Sequence, residues 1–506
     1  MAQPVPLAQP VLVGVGEISQ RPGADPVLSP LDLMAEAARR ADADSRARRS
    51  LLRAVEVVAV PNIFSWRHPD PGAALTAHLD LPGVRRTLLS TISGSSPQFL
   101  LNELADDVAA GRLSVALVTG GEAMHSRRPG VATTGRWAEP KWKDGGPPAT
   151  VVGDATTCFG SYEIAHQAAI PLTVYALFET ALRAAAGRSL EEHQRRLAER
   201  WAGFSEVAAT RPEAWTRQAF TPVEILPGPG NRMVTFPYTK RMCANLDVDQ
   251  AAAVILCSDE AARAAGVPAE AMVHLHAGAD AHDSYLVTRR WSLAESPAIA
   301  AVTGDVLAGA GVTVDDVGRF DLYSCFPSAV EVAMDALGLK GPEGGDERPL
   351  TLTGGLSFHG GPANNYVTHS VAAMVEACRA DPGSLGLVTG VGWFLSKHSA
   401  GLWSTRPPAS GYRRIDPATT QARIDAGPFR EAAGRFTGPA TAEATAVSFS
   451  RDGTPESAVV TALTADGRRA LANCFDEAML VAMTTEEWAG RPVQLTTDGT
   501  TNTVVG

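Results

Sequence analysis

The sequence predicts a duplicated α/β fold, because one motif and its surroundings occur twice. Leu-Val-Thr-Gly stands at Leu117–Gly120 and again, about 270 residues later, at Leu387–Gly390. Polar residues, Ser95-Ser96 and Asn364-Asn365, begin 22 and 23 residues before the two motifs, and each pair opens a stretch with helical apolar periodicity. A helix capped by Ser or Asn and followed by a buried strand is therefore predicted in both halves. We expect a functional cleft where the halves meet.

The first half, residues 1–270, alternates short β-rich runs with helical patterns. Val11–Gly14, Val55–Val60 and Thr87–Ile92 predict strands, and Leu31–Ala43 predicts a helix. Alternation of this kind is typical of βαβ units with a largely parallel sheet. The second half, residues 271–405, repeats the alternation, with a strand predicted at Arg319–Tyr323.

Two further regions are predicted outside the repeated units. Residues 122–245 break the pattern with Gly/Pro loops and with helices whose outer faces are charged, and they predict an insertion or lid rather than sheet. A Pro/Ala/Gly-rich connector covers 406–440. From 441 to 506, alternating residues and regularly spaced Asp-Gly turns predict a small OB-like β-barrel.

Charge and composition argue against several classes of partner. The net charge of −11 opposes binding to nucleic acid, and no run of about 18 apolar residues predicts a membrane span. No secretory signal is visible, so we expect a cytoplasmic protein. The six cysteines lack paired spacing, which predicts neither a disulfide framework nor a metal site. No permanently bound cofactor is expected.

Four segments, in matching order and spacing, resemble the thiolase superfamily across about residues 10–405. Ser93–Met124 resembles the segment that carries the acylated cysteine and ends in Gly-Gly. Val248–Ala253 is similar to the SDGAAA strand that closes the first half. Tyr323–Phe326 resembles the HDCF box of the sterol-carrier-protein type of thiolase, and Gly354–Pro362 resembles the GG…GHP loop.

The middle region, the run Asn231–Lys240 and the β-rich tail resemble actinobacterial thiolase-like proteins of type 1, described as acetyl-CoA acetyltransferases. This resemblance implies two βαβαβαββ halves with an inserted lid and a C-terminal barrel. It also implies that coenzyme A or acyl-CoA is a substrate rather than a resident cofactor.

The catalytic positions depart from the thiolase pattern. Gly94 stands at the position of the nucleophilic cysteine, Gly361 at that of the GHP histidine, Gly390 at that of the second cysteine and Tyr323 at that of the HDCF histidine. A thiolate at a helix N-terminus accepts the acyl group in thiolases, because the positive end of the helix lowers the thiol pKa. Since none of the four groups is present, we expect no standard thiolase mechanism.

The residues that remain around the predicted cleft define a different candidate site. We expect Tyr323 and His359 to carry any proton transfer, with Cys325 as a third catalytic candidate. Side-chain-free backbone and helix N-termini beside a pantetheine thioester point to substrate binding, with cations from the lid at the CoA phosphates. The candidate substrate-binding residues are Gly94, Ser95, Ser96, Gly354, Gly355, Gly361, Asn364, Asn365, Arg232 and Lys240.

Three functions stay open at this point. The first is an acyl-CoA-dependent acyltransferase that acts without the standard cysteine. The second is a thiolase-like retro-aldolase that cleaves a β-hydroxyacyl-CoA, since the retro-aldolases of this superfamily place tyrosine where Tyr323 stands and carry or recruit an OB-like domain. The third is a non-catalytic protein that binds CoA esters. The expected partner is an acyl-CoA, and a monomer and a homodimer are both compatible with the sequence.

Overall fold

A computed structural model describes residues 8–128 and 148–505. The first half begins as the sequence predicts, with strands and helices in alternation. Ser29 and Asp70 start two of the helices by accepting hydrogen bonds from backbone N–H groups of the first turn, and a proline follows each of them. The elements are β1 (Pro10–Ser19), α1 (Pro30–Asp44), β2 (Val57–Val60), α2 (Pro71–Leu79), β3 (Arg86–Ser90), α3 (Ser96–Ala109) and β4 (Val115–Ala123).

The inserted region contributes helices and, against the sequence expectation, three short strands. The helices are mostly covered by protein, and α5 is buried along most of its length. Residues 129–147 of the predicted lid lie outside the described residues. The elements are β5 (Thr150–Val152), α4 (Ser161–Ala165), α5 (Pro171–Ala185), α6 (Leu190–Thr210), α7 (Pro222–Ile225), β6 (Met233–Phe236) and β7 (Tyr238–Thr239).

The main sheet resumes after the insertion and runs through the second half of the chain. The elements are β8 (Asp249–Ser258), α8 (Asp259–Ala265), β9 (Val273–His282), α9 (Pro297–Ala310), β10 (Val317–Asp321), α10 (Pro327–Leu337), α11 (Gly355–Phe358), α12 (Tyr366–Ala380), β11 (Leu385–Gly392) and β12 (Lys397–Ser404).

Strand order confirms the duplication. The five strands of the first half lie in the order β3-β2-β4-β8-β1, with β2 parallel to both neighbours and β8 antiparallel to both of its own. The second half has the order β10-β11-β12-β9, with the same directions. Residues 349–350 run beside β10, where their carbonyls accept hydrogen bonds from Phe320 and Leu322, and this segment takes the place of a fifth strand.

Helices α3 and α12 are the two repeated helices, and they contact each other between the halves. Each also contacts strands of both half-sheets, which explains why their side chains are almost entirely buried. The half-sheets join at their first strands, where Val11 pairs with His274. The predicted alignment of the two helix starts is therefore correct to within one residue, since Ser95 and Asn365 are the residues that precede the helices.

The C-terminal region is a closed five-stranded barrel preceded by β13 (Arg413–Arg414) and α13 (Pro417–Asp425). Its elements are β14 (Gly438–Phe449), β15 (Pro455–Thr464), β16 (Arg469–Cys474), α14 (Glu477–Thr485), β17 (Pro492–Thr497) and β18 (Asn502–Val505). The strands close in the order β14-β15-β16-β18-β17-β14, and β16 and β18 are parallel. Along the chain, α14 lies between β16 and β17. This is the arrangement of an OB-like barrel, as the sequence predicts.

The barrel and the inserted region form one structure. Strand β6 pairs with β14, and the Thr180 hydroxyl on α5 donates to the Thr445 carbonyl. Arg469 is fully buried, and its guanidinium binds Glu443 and backbone carbonyls of residues 287–291 in the second half. Among the described residues, no helix combines the length and apolar character needed to cross a membrane.

Candidate functional site

The position of the thiolase nucleophile is occupied by another side chain. Tyr323 follows β10 and points its hydroxyl at Gly94, just before α3. A Cβ atom built on Gly94 would lie 2.3 Å from the Tyr323 hydroxyl oxygen and 2.4 Å from the Val391 carbonyl oxygen. Both separations are well below any normal contact. No side chain fits on residue 94 in this backbone, so the packing requires glycine there.

Burial suppresses ionisation at both candidate groups next to β10. It raises the pKa of Tyr323 well above the usual phenol value and raises the pKa of the Cys325 thiol to about 12. Cys325 is 8 % exposed, and the Tyr175 side chain, which donates to the Trp393 carbonyl, lies beside it. Neither residue has a described partner that would deprotonate it, so Tyr323 is a neutral phenol and Cys325 a neutral, buried thiol.

His359 lies in a different environment from Tyr323. Its ring is fully buried, and its Nε2 atom is 3.7 Å from Glu17 Oε1, while His369 Nδ1 is 2.6 Å from the same oxygen. Tyr366 lies between His359 and Tyr323, with ring centroids 6.2 Å and 5.7 Å from the two. The role of His359 beside Tyr323 in proton transfer therefore stays a prediction, since Tyr366 separates the two rings.

The glycine loop packs against protein. Gly354 and Gly355 have φ angles of +95° and +77°, which glycine adopts without strain. A Cβ on Gly354 would lie 2.4 Å from Ala208 Cβ, and one on Gly355 would lie 2.8 Å from Phe204, both on α6. Gly361 has room, since its nearest neighbour would be 3.4 Å away. The inserted helix α6 thus covers the backbone where the sequence predicts a thioester.

The two asparagines hold the halves together. Asn364 donates to the Asn62 carbonyl at 2.7 Å, and Asn365 donates to the Gly120 carbonyl at 2.6 Å. The amide groups of both residues are therefore engaged in contacts between the second half and the first. Asn365 also accepts from the Thr368 hydroxyl and makes no capping bond to the backbone of α12.

The two candidate cations of the inserted region, Arg232 and Lys240, lie in the part of the protein that contains Cys325. Arg232 accepts a backbone hydrogen bond from Lys240, and the charges of both act on Cys243, whose neighbour Ala244 donates to the Cys325 carbonyl. Neither cation lines either of the two large cavities described next. The predicted substrate-binding residues are consequently divided between two places rather than gathered in one.

Open space lies on the other side of Ser95. A cavity of about 330 Å³ is lined by Ser93, Ser95, Ser96 and Phe99 at the start of α3 and by Lys397 and His398 at the start of β12. Ser93 and Ser95 hydrogen-bond to each other at 2.7 Å, so Ser95 does not cap the helix with its side chain. The N-terminus of the 14-residue helix α3 gives this cavity a partial positive charge.

A second cavity, of about 730 Å³, shares His282 with the first. It lies between the start of the second half and the connector after α13. Trp291 and Phe429 line it and are 50 % and 55 % exposed, and the Arg289 guanidinium lies 5.0 Å from the centroid of the Phe429 ring. Aromatic and cationic side chains thus share one wall.

Several residues of this region are not predicted from the sequence. Tyr175 beside Cys325 and the aromatic wall at Trp291 and Phe429 carry no motif, because they come from the insertion, a loop of the second half and the connector. Glu17 and His369 belong to strand and helix patterns that predict only burial. Glycine at three of the four thiolase catalytic positions is the signal in the sequence that a standard site is not expected.

The strand order, the paired central helices and the glycine loop define a thiolase-superfamily fold in which the catalytic cysteines and histidines are replaced. More narrowly, the chain belongs to the SCP2-thiolase-like proteins of type 1. It is similar to the monomeric SCP2-thiolase-like protein type 1 from Mycobacterium smegmatis, with 31 % identity over 99 % of both chains and a TM-score of 0.83. Residues 419–500 match the family of the additional C-terminal domain of thiolase-like protein type 1.

More distant structures match a smaller share of the chain. An Ltp2-ChsH2(DUF35) aldolase is 17 % identical and matches 79 % of this chain and 98 % of its own, with a TM-score of 0.59. The acetyl-CoA acetyltransferase from Syntrophomonas wolfei is 16 % identical. The match covers 79 % of this chain and 100 % of that protein, with a TM-score of 0.56. At these identities the likeness extends to the fold alone. No curated protein matches the chain.

Proposed function

We propose that the protein is an acyl-CoA-dependent acyltransferase that acts on the thioester without forming an acyl-cysteine. One observation carries this proposal: the Tyr323 hydroxyl oxygen lies only 2.3 Å from the point where the Cβ of a side chain on residue 94 would stand. That packing opposes a covalent acyl-enzyme at this helix on steric grounds, and a protonated phenol takes the place of the thiolate.

Two neighbouring cavities supply room for the ester. The larger one offers Trp291 and Phe429 for the adenine ring and Arg289 for phosphate, which are the side chains that such groups favour. The smaller one, beside Ser95 and Ser96, offers the positive end of α3 to polarise the thioester carbonyl. Both cavities are lined by His282, so the proposal places one ligand across that residue.

Transfer would then be direct. The acceptor attacks the thioester carbonyl carbon, the C–S bond breaks, and the proton lost by the acceptor ends on the CoA sulfur. Because burial keeps Tyr323 protonated, its hydroxyl can donate a hydrogen bond to the departing sulfur, which receives its proton from the acceptor. Tyr323 touches Gly94, which lies between the cavity-lining residues Ser93 and Ser95.

Retro-aldol cleavage of a β-hydroxyacyl-CoA is the second candidate, and the same phenol favours it. The β-hydroxyl gives its proton to a water molecule, the Cα–Cβ bond breaks toward a thioester enolate, and Tyr323 gives its proton to the α carbon and regains one from the hydronium ion. The products are a carbonyl compound and a shortened acyl-CoA. A protein that binds the ester without turnover is the remaining alternative.

Binding and turnover are tested separately. Calorimetry with acetyl-CoA and longer acyl-CoAs measures affinity, which we expect to fall about tenfold or more in Arg289→Ala and Phe429→Ala. Phe475→Ala is the matched control, since Phe475 is 60 % exposed and lines neither cavity. Equal affinities in all three variants, or no affinity at millimolar concentration, would refute the placement of the ester.

Mass spectrometry of products distinguishes the reactions. Free CoA with an acylated acceptor indicates transfer, and a carbonyl product indicates cleavage. Tyr323→Phe removes one oxygen and should abolish either reaction while affinity is retained, whereas Cys325→Ala should keep both. Full turnover in Tyr323→Phe would remove the tyrosine from the mechanism, and an acyl group retained on Cys325 would overturn the proposal.

A further inference from the structure

Three metal-ligating side chains meet inside the protein, away from both cavities. Glu17 comes from β1, His359 from the residue after α11, and His369 from α12. One ligand atom of each lies within 4.8 Å of the others, and the two histidine side chains are fully buried. Glutamate oxygen and imidazole nitrogen in this combination are donors that Zn²⁺ and similar divalent ions accept.

The hydrogen bonds of the cluster leave nitrogen atoms unused. His369 Nδ1 bonds Glu17 Oε1 at 2.6 Å, but its Nε2 atom has no hydrogen-bond partner in the described structure. His359 Nε2 is also without a hydrogen-bond partner there and is aimed at Glu17, 3.7 Å away. Buried polar nitrogens are normally satisfied, so an unpartnered His359 Nε2 that faces a carboxylate indicates a site that suits a ligand.

The surrounding charges favour a cation. Arg211 is shared by three carboxylates, at 3.0 Å from Glu17, 3.8 Å from Glu213 and 2.6 Å from Glu376. When all three are ionised, this group carries an excess of two negative charges.

We propose that Glu17, His359 and His369 bind one divalent transition-metal ion, with Zn²⁺ the ion that best suits the donor set. Binding releases the proton that His369 Nδ1 shares with Glu17, and nitrogen and oxygen ligands then surround the ion at about 2.0–2.2 Å. The ion fastens the first strand of one half to the glycine loop and central helix of the other. His359 is in that case a positioning ligand rather than a proton carrier.

A second cluster of similar composition provides a matched control. Glu179, His193 and Glu331 are also buried and close together. Their atoms are already engaged, however: His193 Nε2 bonds Glu179 at 2.8 Å, and Glu331 pairs with Arg188 and Arg200. Two guanidiniums next to the carboxylate oppose a cation, so this cluster should bind none.

Metal content tests the proposal directly. Protein produced in zinc-supplemented medium is dialysed and analysed by inductively coupled plasma mass spectrometry, and the chelated protein is titrated with Co²⁺, whose visible absorption reports nitrogen and oxygen ligation. We expect one ion per chain in the wild type and in His193→Gln. In Glu17→Gln and His359→Gln, occupancy should fall at least tenfold.

Circular dichroism establishes whether the variants are folded. If a glutamine variant does not fold, the wild type still decides, because a Co²⁺ spectrum with imidazole ligation must appear at one equivalent and disappear on addition of Zn²⁺. Wild-type protein without metal after both treatments overturns the proposal, as does equal occupancy in wild type and folded His359→Gln. Neither result bears on acyl-CoA binding, which uses other residues.

Discussion

Replacement of Gly94 by alanine should destabilise the protein, although the change adds one methyl group. The added Cβ would lie 2.3 Å from the Tyr323 hydroxyl oxygen and 2.4 Å from the Val391 carbonyl oxygen. Normal contacts start near 3.0–3.4 Å, so each neighbour must move by about 0.7–1 Å, and one of them is backbone. Overpacking of this kind costs about 1–3 kcal/mol, and we expect the upper part of that range.

The assay is denaturant unfolding of four variants: Gly94→Ala, Gly361→Ala, Tyr323→Phe and the double variant Gly94→Ala/Tyr323→Phe. Gly361→Ala is the control, because its Cβ would have 3.4 Å of room and its φ is not in the left-handed region. Adding Tyr323→Phe to Gly94→Ala removes the hydroxyl but not the Val391 carbonyl, so part of the loss should return, with a coupling of about 0.5 kcal/mol or more. A Gly94→Ala variant within about 0.5 kcal/mol of wild type would refute the claim that Tyr323 occupies the nucleophile position.

Three further predictions concern other parts of the molecule. Cys325 should resist iodoacetamide at pH 8 in the folded protein and react in denaturant. In the folded protein a thiol with a pKa of about 12 has an ionised fraction of only about 10⁻⁴ at this pH. Stoichiometric labelling of the native protein would contradict this prediction. Burial, followed by repulsion from His276, lowers the pKa of His274 to about 4. The free energy of unfolding that neutral His274 contributes is therefore fully present above about pH 6.5. It falls by up to about 1.4 kcal/mol per pH unit toward pH 4. Unfolding measured as a function of pH should show a smaller slope in His274→Gln. Arg469→Ala leaves Glu443 and several carbonyls without their donor, so thermal or chemical unfolding should show a loss of about 3–5 kcal/mol.

Local sequence patterns are sufficient for the parts of the fold that repeat. The Leu-Val-Thr-Gly strands, the central helices and the Asp-Gly turns of the barrel are set by short-range periodicity and turn chemistry, which is why their positions can be predicted. Strands β5 and β6 escape prediction because they have three and four residues and gain their partners from distant chain. Phe236 pairs with Val447, and no local pattern can anticipate such a pairing.

The candidate site is less predictable, because its properties arise from contacts between remote segments. The sequence shows that Gly94 and Gly354 lack side chains, but not what lies against them. The structure places Tyr323 against the first and Ala208 against the second. Similarly, Glu17 and His369 are 352 residues apart and are brought together by the pairing of the two halves.

The filled positions explain how the thiolase site was lost and where chemistry can still occur. If the catalytic residues had simply been deleted, glycines would border empty space. Instead, Gly94 is closed by Tyr323 and Val391, and a Cβ on Gly390 would lie 2.9 Å from Ser95 Cα. Neighbouring atoms therefore leave no room for a side chain on residue 94 or residue 390, and a cysteine at either position would require this backbone to rearrange. Open volume persists across Ser95, beside Lys397, so a thioester that meets this protein without a large rearrangement must meet it there.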